Sequence, residues 1–189
     1  MTRRALSFLA ALLAVTGLSG SAPAQVGILN LPYSSANIVA ASSGPASVTG
    51  TTVETNLAAL QIPANAWQPN GLVTLVTLWS YSNNTNNKTL TVRLTNLKGG
   101  TTGPVISSLA TVTTTATAQT LYMVRNNSSP NAQLNFVSGT NPFAVAGSTI
   151  IATTINTTQA LYFNINATLA NAADTVTLLH AYAVVYPAP

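Results

Sequence analysis

Acid–base chemistry in this chain of 189 residues has a very short list of candidates: one histidine, His180, and two carboxylate side chains, Glu54 and Asp174. General acid–base catalysis needs such groups held within hydrogen-bond reach of a substrate. His180 and Asp174 with a serine would formally make a triad. No G-x-S-x-G elbow is present, however, and His180 sits in the apolar run TVTLLHAYAVVY, so it reads as a buried or interface histidine. Glu54 and Asp174 would make a glycosidase pair only if their carboxyls flanked a sugar at about 5 to 9.5 Å. Each reads instead as an isolated surface carboxylate. Clustered His, Cys, Asp or Glu of the kind that holds a metal does not occur, which leaves open only a calcium held by loop carbonyls with Asn or Asp. The inventory predicts a protein that is not an enzyme, with no catalytic residues, no cofactor and no side-chain metal site.

Binding chemistry has more to work with. Trp79 and Tyr81 share a strand face and run into the loop SNNTNN, and Trp67 lies in the loop PANAWQPNG. Indole and phenol rings stack on sugars while amides read hydroxyls, so Trp67, Trp79 and Tyr81 are the candidate contacts for a glycan or a partner. The competing reading places Trp79 in the core with Tyr81 capping it. Sequons at Asn83, Asn87, Asn127, Asn156 and Asn166 are what chance supplies in a chain so rich in Asn and Thr.

Only 4% of residues are charged while 47% are hydrophobic. Disorder needs the reverse of both, so the chain is expected to fold. Its surface must be covered by hydroxyls and amides, and a charge-poor Thr-rich surface suits subunit packing. The net charge of +4 is no basic patch. Beyond Arg3 and Arg4 it reduces to Lys88, Arg93, Lys98 and Arg125 against Glu54 and Asp174, too sparse to neutralise a run of phosphates, so nucleic acid is not an expected partner. With no cysteine, stability has to come from packing.

Three segments position these residues. Residues 1–24, MTRRALSFLAALLAVTGLSGSAPA, run from two arginines through an apolar stretch to Ala22-Pro23-Ala24, the order of a secretory signal peptide with cleavage expected after Ala24. The apolar run is shorter than the roughly 20 residues that span a bilayer, and no later run reads as a membrane span. Secretion or the cell surface is the expected location. Residues 25–50, rich in Ser, Ala, Pro and Gly, read as a lead-in arm. From 51 to 189, runs of Thr, Val, Leu and Ile separated by Asn, Gly, Pro and Ser clusters predict one β domain.

Nine strands are expected, at 51–61, 72–82, 88–97, 105–113, 118–126, 132–137, 148–156, 160–168 and 175–186. Two alternate cleanly: Leu90, Val92 and Leu94 oppose Thr91, Arg93 and Thr95, and Leu161, Phe163 and Ile165 oppose Tyr162, Asn164 and Asn166. By contrast 72–82 and 175–186 are apolar on both faces, as strands covered on both sides would be, and one covering can be a partner subunit. Eight or nine short strands at this spacing predict an all-β antiparallel sandwich, jelly-roll-like.

The stretch Glu54–Leu94, ETNLAALQIPANAWQPNGLVTLVTLWSYSNNTNNKTLTVRL, resembles small β-sandwich virion proteins of tailed phages and prophages in its ETxLAxLxIPAxA opening, PNG turn, LWSY strand, Asn-rich turn and KTLTVRL strand. Looser similarity continues to the final strand DTVTLLHAYAVVYP. The resemblance implies a jelly-roll-like tail, fibre or head-decoration component, usually assembled as an oligomer, and makes the virion the alternative location. Two functions follow as expectations. One is a structural or adhesive sandwich that packs with copies of itself. The other is a secreted carbohydrate-binding module or lectin that contacts a cell-surface glycan.

Overall fold

The computed structural model describes residues 37–111, 116–136 and 150–188, all within one compact unit, Pro32–Pro189. The expected leader, residues 25–36 of the expected lead-in arm and the expected strand ends at 112, 113, 137, 148 and 149 lie outside the described residues. Eleven strands are present: β1 Asn37–Ala41, β2 Ala46–Val48, β3 Thr55–Ile62, β4 Leu72–Tyr81, β5 Lys88–Thr95, β6 Val105–Thr111, β7 Thr117–Asn126, β8 Gln133–Phe136, β9 Ile150–Thr153, β10 Leu161–Leu169 and β11 Val176–Tyr186. The nine read from the sequence are β3 to β11. The additional two, β1 and β2, fall inside the segment read as a lead-in arm. Its short apolar pieces find backbone partners along β11, where Ile38 pairs with Val184 and Ser47 with Thr177.

The strands form two antiparallel sheets, one ordered β1-β11-β4-β7-β8-β9 with β2 also on β11, the other β3-β10-β5-β6. The fold is therefore an all-β antiparallel sandwich, jelly-roll-like, with no helix among the described residues. Alternation explains how the sheets stack. Val73, Leu75, Trp79, Tyr122, Val124 and Leu178 of the larger sheet meet Leu90, Val92, Leu94, Phe163 and Ile165 of the smaller in one apolar core. In β11 a register shift between Leu178 and His180 changes which side chains face inward. Leu178 points to the core before it, and Ala181, Ala183 and Val185 after it.

One polar chain runs along the larger sheet's side of this core. The Trp79 indole Nε1 donates to Thr77 Oγ1 at 2.6 Å, and Thr77 is hydrogen-bonded to Thr120, its register partner on β7. Buried hydroxyls on neighbouring strands of the sheet satisfy one another, as burial requires.

Candidate functional site

The three aromatics singled out from the sequence do not make a platform. Trp67 is 2% exposed, Trp79 0% and Tyr81 8%. Trp67 lies in the turn before β4, its Nε1 donating to the Gly71 carbonyl at 2.8 Å, whereas Trp79 and Tyr81 occupy the far end of that strand. Their ring area goes to the core because β4 is a central strand with its odd-numbered side chains turned inward. A sugar cannot stack on faces that protein already covers. The reading of Trp79 as core with Tyr81 beside it is the one the burial matches.

The carboxylates are each held by a cation. Glu54 accepts from Arg93 Nε at 2.9 Å and Nη2 at 2.8 Å, and from Asn166 Nδ2 at 2.7 Å. The Arg93 hydrogen bonds hold the Glu54 carboxyl below the ordinary carboxylate range, partial burial pulls it the other way, and the Asn166 amide adds to the lowering. Asp174, in the turn between β10 and β11, accepts from Asn84 and Asn86, and its Oδ2 lies 3.6 Å from Lys88 Nζ. Burial pushes Asp174 up, but the two amides and the Lys88 ammonium outweigh it, and the carboxyl titrates low. The two acids thus sit in separate clusters, each neutralised, rather than flanking one cleft. His180 is exposed on β11, its ring 5.8 Å from that of Tyr182 at a tilt of 39°. No group of three or more His, Cys, Asp or Glu is gathered among the described residues.

What pattern reading missed is a buried amide shell on the outer side of the smaller sheet. Asn164 and Asn166 of β10, on the face expected to meet water, are fully buried. The 96–103 segment folds back over them: Asn164 Oδ1 accepts from Gly99 N at 2.8 Å, Asn164 Nδ2 donates to the Leu97 carbonyl at 2.8 Å, and Asn166 Nδ2 reaches the Gly100 carbonyl at 3.2 Å. Asn56 Nδ2 donates to Asn166 Oδ1 at 2.7 Å, and Arg93 Nη1 to the Gly103 carbonyl at 2.8 Å. The shell holds the loop as a rigid wall. The signal for it was the placement of Asn164 and Asn166 opposite Arg93 and Thr91, together with a Gly-rich loop long enough to return.

That wall borders a cleft of about 330 Å³ lined by Thr95, Asn96, Leu97, Thr102, Asn156 and Gln159 over an apolar floor of Leu94, Ile155 and Leu161. None of its lining residues is charged. A second cleft, about 500 Å³, runs between the β1–β2 turn and β3 and includes Lys98. Uncharged amides and hydroxyls around an apolar floor can bind a neutral polar molecule. They supply no proton donor or acceptor of the strength that catalysis at neutral pH needs.

No family model matches the chain, and no curated protein matches it. Among solved structures, it is similar to winged bean acidic lectin complexed with methyl-alpha-D-galactose, with a TM-score of 0.36 at 10% identity over 83% of this chain and 94% of that one. It is also similar to a protein of the Gt strain of infectious bursal disease virus, with a TM-score of 0.33 at 10% identity over 80% of this chain and 33% of that one. A CBM4 structure gives a TM-score of 0.29 at 13% identity over 72% of this chain and 89% of that one. The chain spans about a third of the viral protein and nearly the whole of the lectin.

Proposed function

We propose that this chain is a non-enzymatic structural or adhesive β-sandwich, of the tail, fibre or head-decoration kind found in phage virions, acting as a homo-oligomer. The observation that carries this reading is the fate of its two acids. Glu54 and Asp174 are each tied to a cation and to side-chain amides, so their chemistry goes into holding loops in place. The motif run Glu54–Leu94 supports the virion side of the proposal, and the charge-poor surface of Thr and Asn supports packing between copies. No helix among the described residues is long and apolar enough to cross a membrane.

The test is density-gradient separation of a producing culture, with mass spectrometry of this protein's N-terminus in each fraction. Recovery in particles, with residues 1–24 intact, supports the virion component. A mature N-terminus at Gln25 in soluble or cell-surface fractions, with none in particles, overturns the virion role and leaves an exported adhesin.

A second reading, a secreted carbohydrate-binding module or lectin, is favoured by one observation: the uncharged cleft lined by Asn96, Asn156 and Gln159. Titrating the ¹⁵N-labelled protein with neutral mono- and oligosaccharides tests it. Saturable shifts confined to the Asn96 and Gln159 amides support the module, and an unchanged spectrum at millimolar sugar removes it.

A further inference from the structure

The outer face of the larger sheet carries a different message from its buried one. Register pairing lines up its outward side chains in rows across β1, β11, β4 and β7: Ala41, Tyr182, Val76 and Leu121 in one, Ile38, Val184, Thr74 and Met123 in the next. Leu78 beside His180, and Tyr186 beside Leu72, extend these rows at either end. Ile38 is 69% exposed, Leu78 41% and Tyr186 40%. Arg125, at one corner opposite Leu72, carries the only formal charge on this grid. Strands β4, β7 and β11, of ten or eleven residues, with the five of β1, at about 4.8 Å spacing and about 3.3 Å per residue, make a face of roughly 500 to 600 Å². Its side chains are mostly apolar, interrupted by Thr74 and His180, and an apolar patch approaching that size is the largest a monomer usually exposes and is often functional.

We infer that this face is an isologous interface and that its occupant is a second copy of the same chain, packed sheet against sheet. The inference rests on the oligomeric part of the proposed function and is independent of whether the protein ends up in a particle. Three observations select a second copy. Two such faces together bury about 1,000 Å², the lower bound for a specific interface. A face without carboxylates offers nothing to a basic partner, and one arginine at a corner offers little to an acidic one. A two-fold axis along or across the strands through the centre of the grid keeps the two copies of Arg125 apart, so self-association brings no like charges together. Val76 and Thr74 sit near that axis, and sandwich sheets pack with such rows interdigitated.

Sedimentation of the purified full chain at micromolar concentration tests this, and a dimer or an even-numbered assembly is the expected result. Leu78→Glu, at a site already open to solvent, shifts the population to half that mass or weakens association at least tenfold, while Gln61→Glu on the exposed side of β3 leaves it unchanged. The chain has no cysteine, so Val76→Cys provides a single thiol near the axis, and mild oxidation is expected to yield a disulfide-linked dimer. A photo-crosslinker at Leu121, followed by peptide mapping, identifies the occupant. Cross-links to β4 or β11 that appear only in the species of doubled mass support a second copy. Cross-links to residues 25–36 of the same chain overturn the inference, as does a monomer at 100 µM or an assembly that Leu78→Glu leaves intact.

Discussion

Arg93 meets Glu54 fork to fork, with Nε to Oε1 at 2.9 Å and Nη2 to Oε2 at 2.8 Å, while its remaining Nη1 donates to the Gly103 carbonyl at 2.8 Å. One guanidinium therefore ties β5 both to the residue preceding β3 and to the loop after β5. Arginine's planar set of donors makes this possible, and a lysine ammonium cannot reproduce it. Arg93→Lys is expected to lower unfolding stability by about 1–3 kcal/mol, the range for losing charge-assisted hydrogen bonds. Urea titration measures it. A midpoint identical to that of the parent protein would mean that the loop is held by the Asn164 and Asn166 amides alone.

Acid should loosen the molecule at two places together. Glu54 and Asp174 both titrate below their ordinary values, the first chiefly through Arg93, the second through Asn84, Asn86 and Lys88 acting against burial. A depressed carboxyl stabilises the fold fully above its unfolded value, about 4, and that contribution is lost as pH falls through the folded value. Stability is therefore expected to be level from neutrality to about pH 5 and to decline below about pH 4. Glu54→Gln should flatten part of that decline. Thermal melts from pH 2 to 7 on both proteins check this, and a Glu54→Gln curve parallel to the parent's would remove Glu54 from the acid response.

The turn before β6 is tight for a reason that can be tested. Gly103 has φ +97°, a region L side chains rarely adopt, and a Cβ placed there would lie 2.7 Å from Thr95 Cγ2. Gly103→Ala is expected to cost about 1–3 kcal/mol through backbone strain and the clash. Adding Thr95→Ser removes the methyl but keeps the hydroxyl that accepts from Leu97 N, and should recover part of the loss. Denaturant midpoints for the two singles and the double form a cycle. Strict additivity would show that strain at φ, rather than the clash, dominates.

Much of this fold was legible because alternation is enforced by the pleat. Leu90, Val92 and Leu94 go inward on β5, and Leu161, Phe163 and Ile165 on β10, as their spacing required. The opposite faces were not legible. Asn164 and Asn166 look solvated in a list of alternating residues, and only the return of 96–103 over them, a non-local event, turns them into buried partners. The strands β1 and β2 were missed for a related reason. Each is short, and its stability comes from pairing with β11, far away in the sequence, as the Ser47–Thr177 pair, 130 positions apart, shows. The aromatics Trp67 and Trp79 were ambiguous because an indole serves equally well in a core and on a sugar, and the pattern does not say which sheet face is covered.

Burial of the two indoles sets an outcome for their removal. Trp79→Ala empties a fully buried site and strips Thr77 of its indole donor, and Trp67→Ala does the same to the Gly71 carbonyl. Each should cost about 3–5 kcal/mol, enough to unfold a marginal domain. Circular dichroism should then show lost structure in both. A variant that keeps its fold and its melting temperature while losing binding to a glycan would instead restore these rings as contact residues.

Alkali offers a probe of the same core from the other side. Burial pushes the Tyr81 phenol well above the ordinary range, and the nearby Tyr122 phenol reinforces this. Burial also raises Tyr122, opposed in part by the hydroxyls of Thr120, Ser107 and Thr77. For both groups the neutral form is the one the fold favours. Their contribution is therefore fully present below the unfolded value of about 10 and is lost as pH rises toward the folded value. The Tyr81 hydroxyl is buried without a hydrogen-bond partner among the described residues, so an ionised oxygen there would have no donor to stabilise it. These two phenols should ionise only as the sandwich unfolds. Ultraviolet difference absorbance near 295 nm, followed alongside circular dichroism above pH 10, should show a late step that coincides with loss of β structure and fades in Tyr81→Phe with Tyr122→Phe. A late step that precedes unfolding would mean that water reaches Tyr81 in the native state, and that the end of the sandwich around β4 opens without global unfolding.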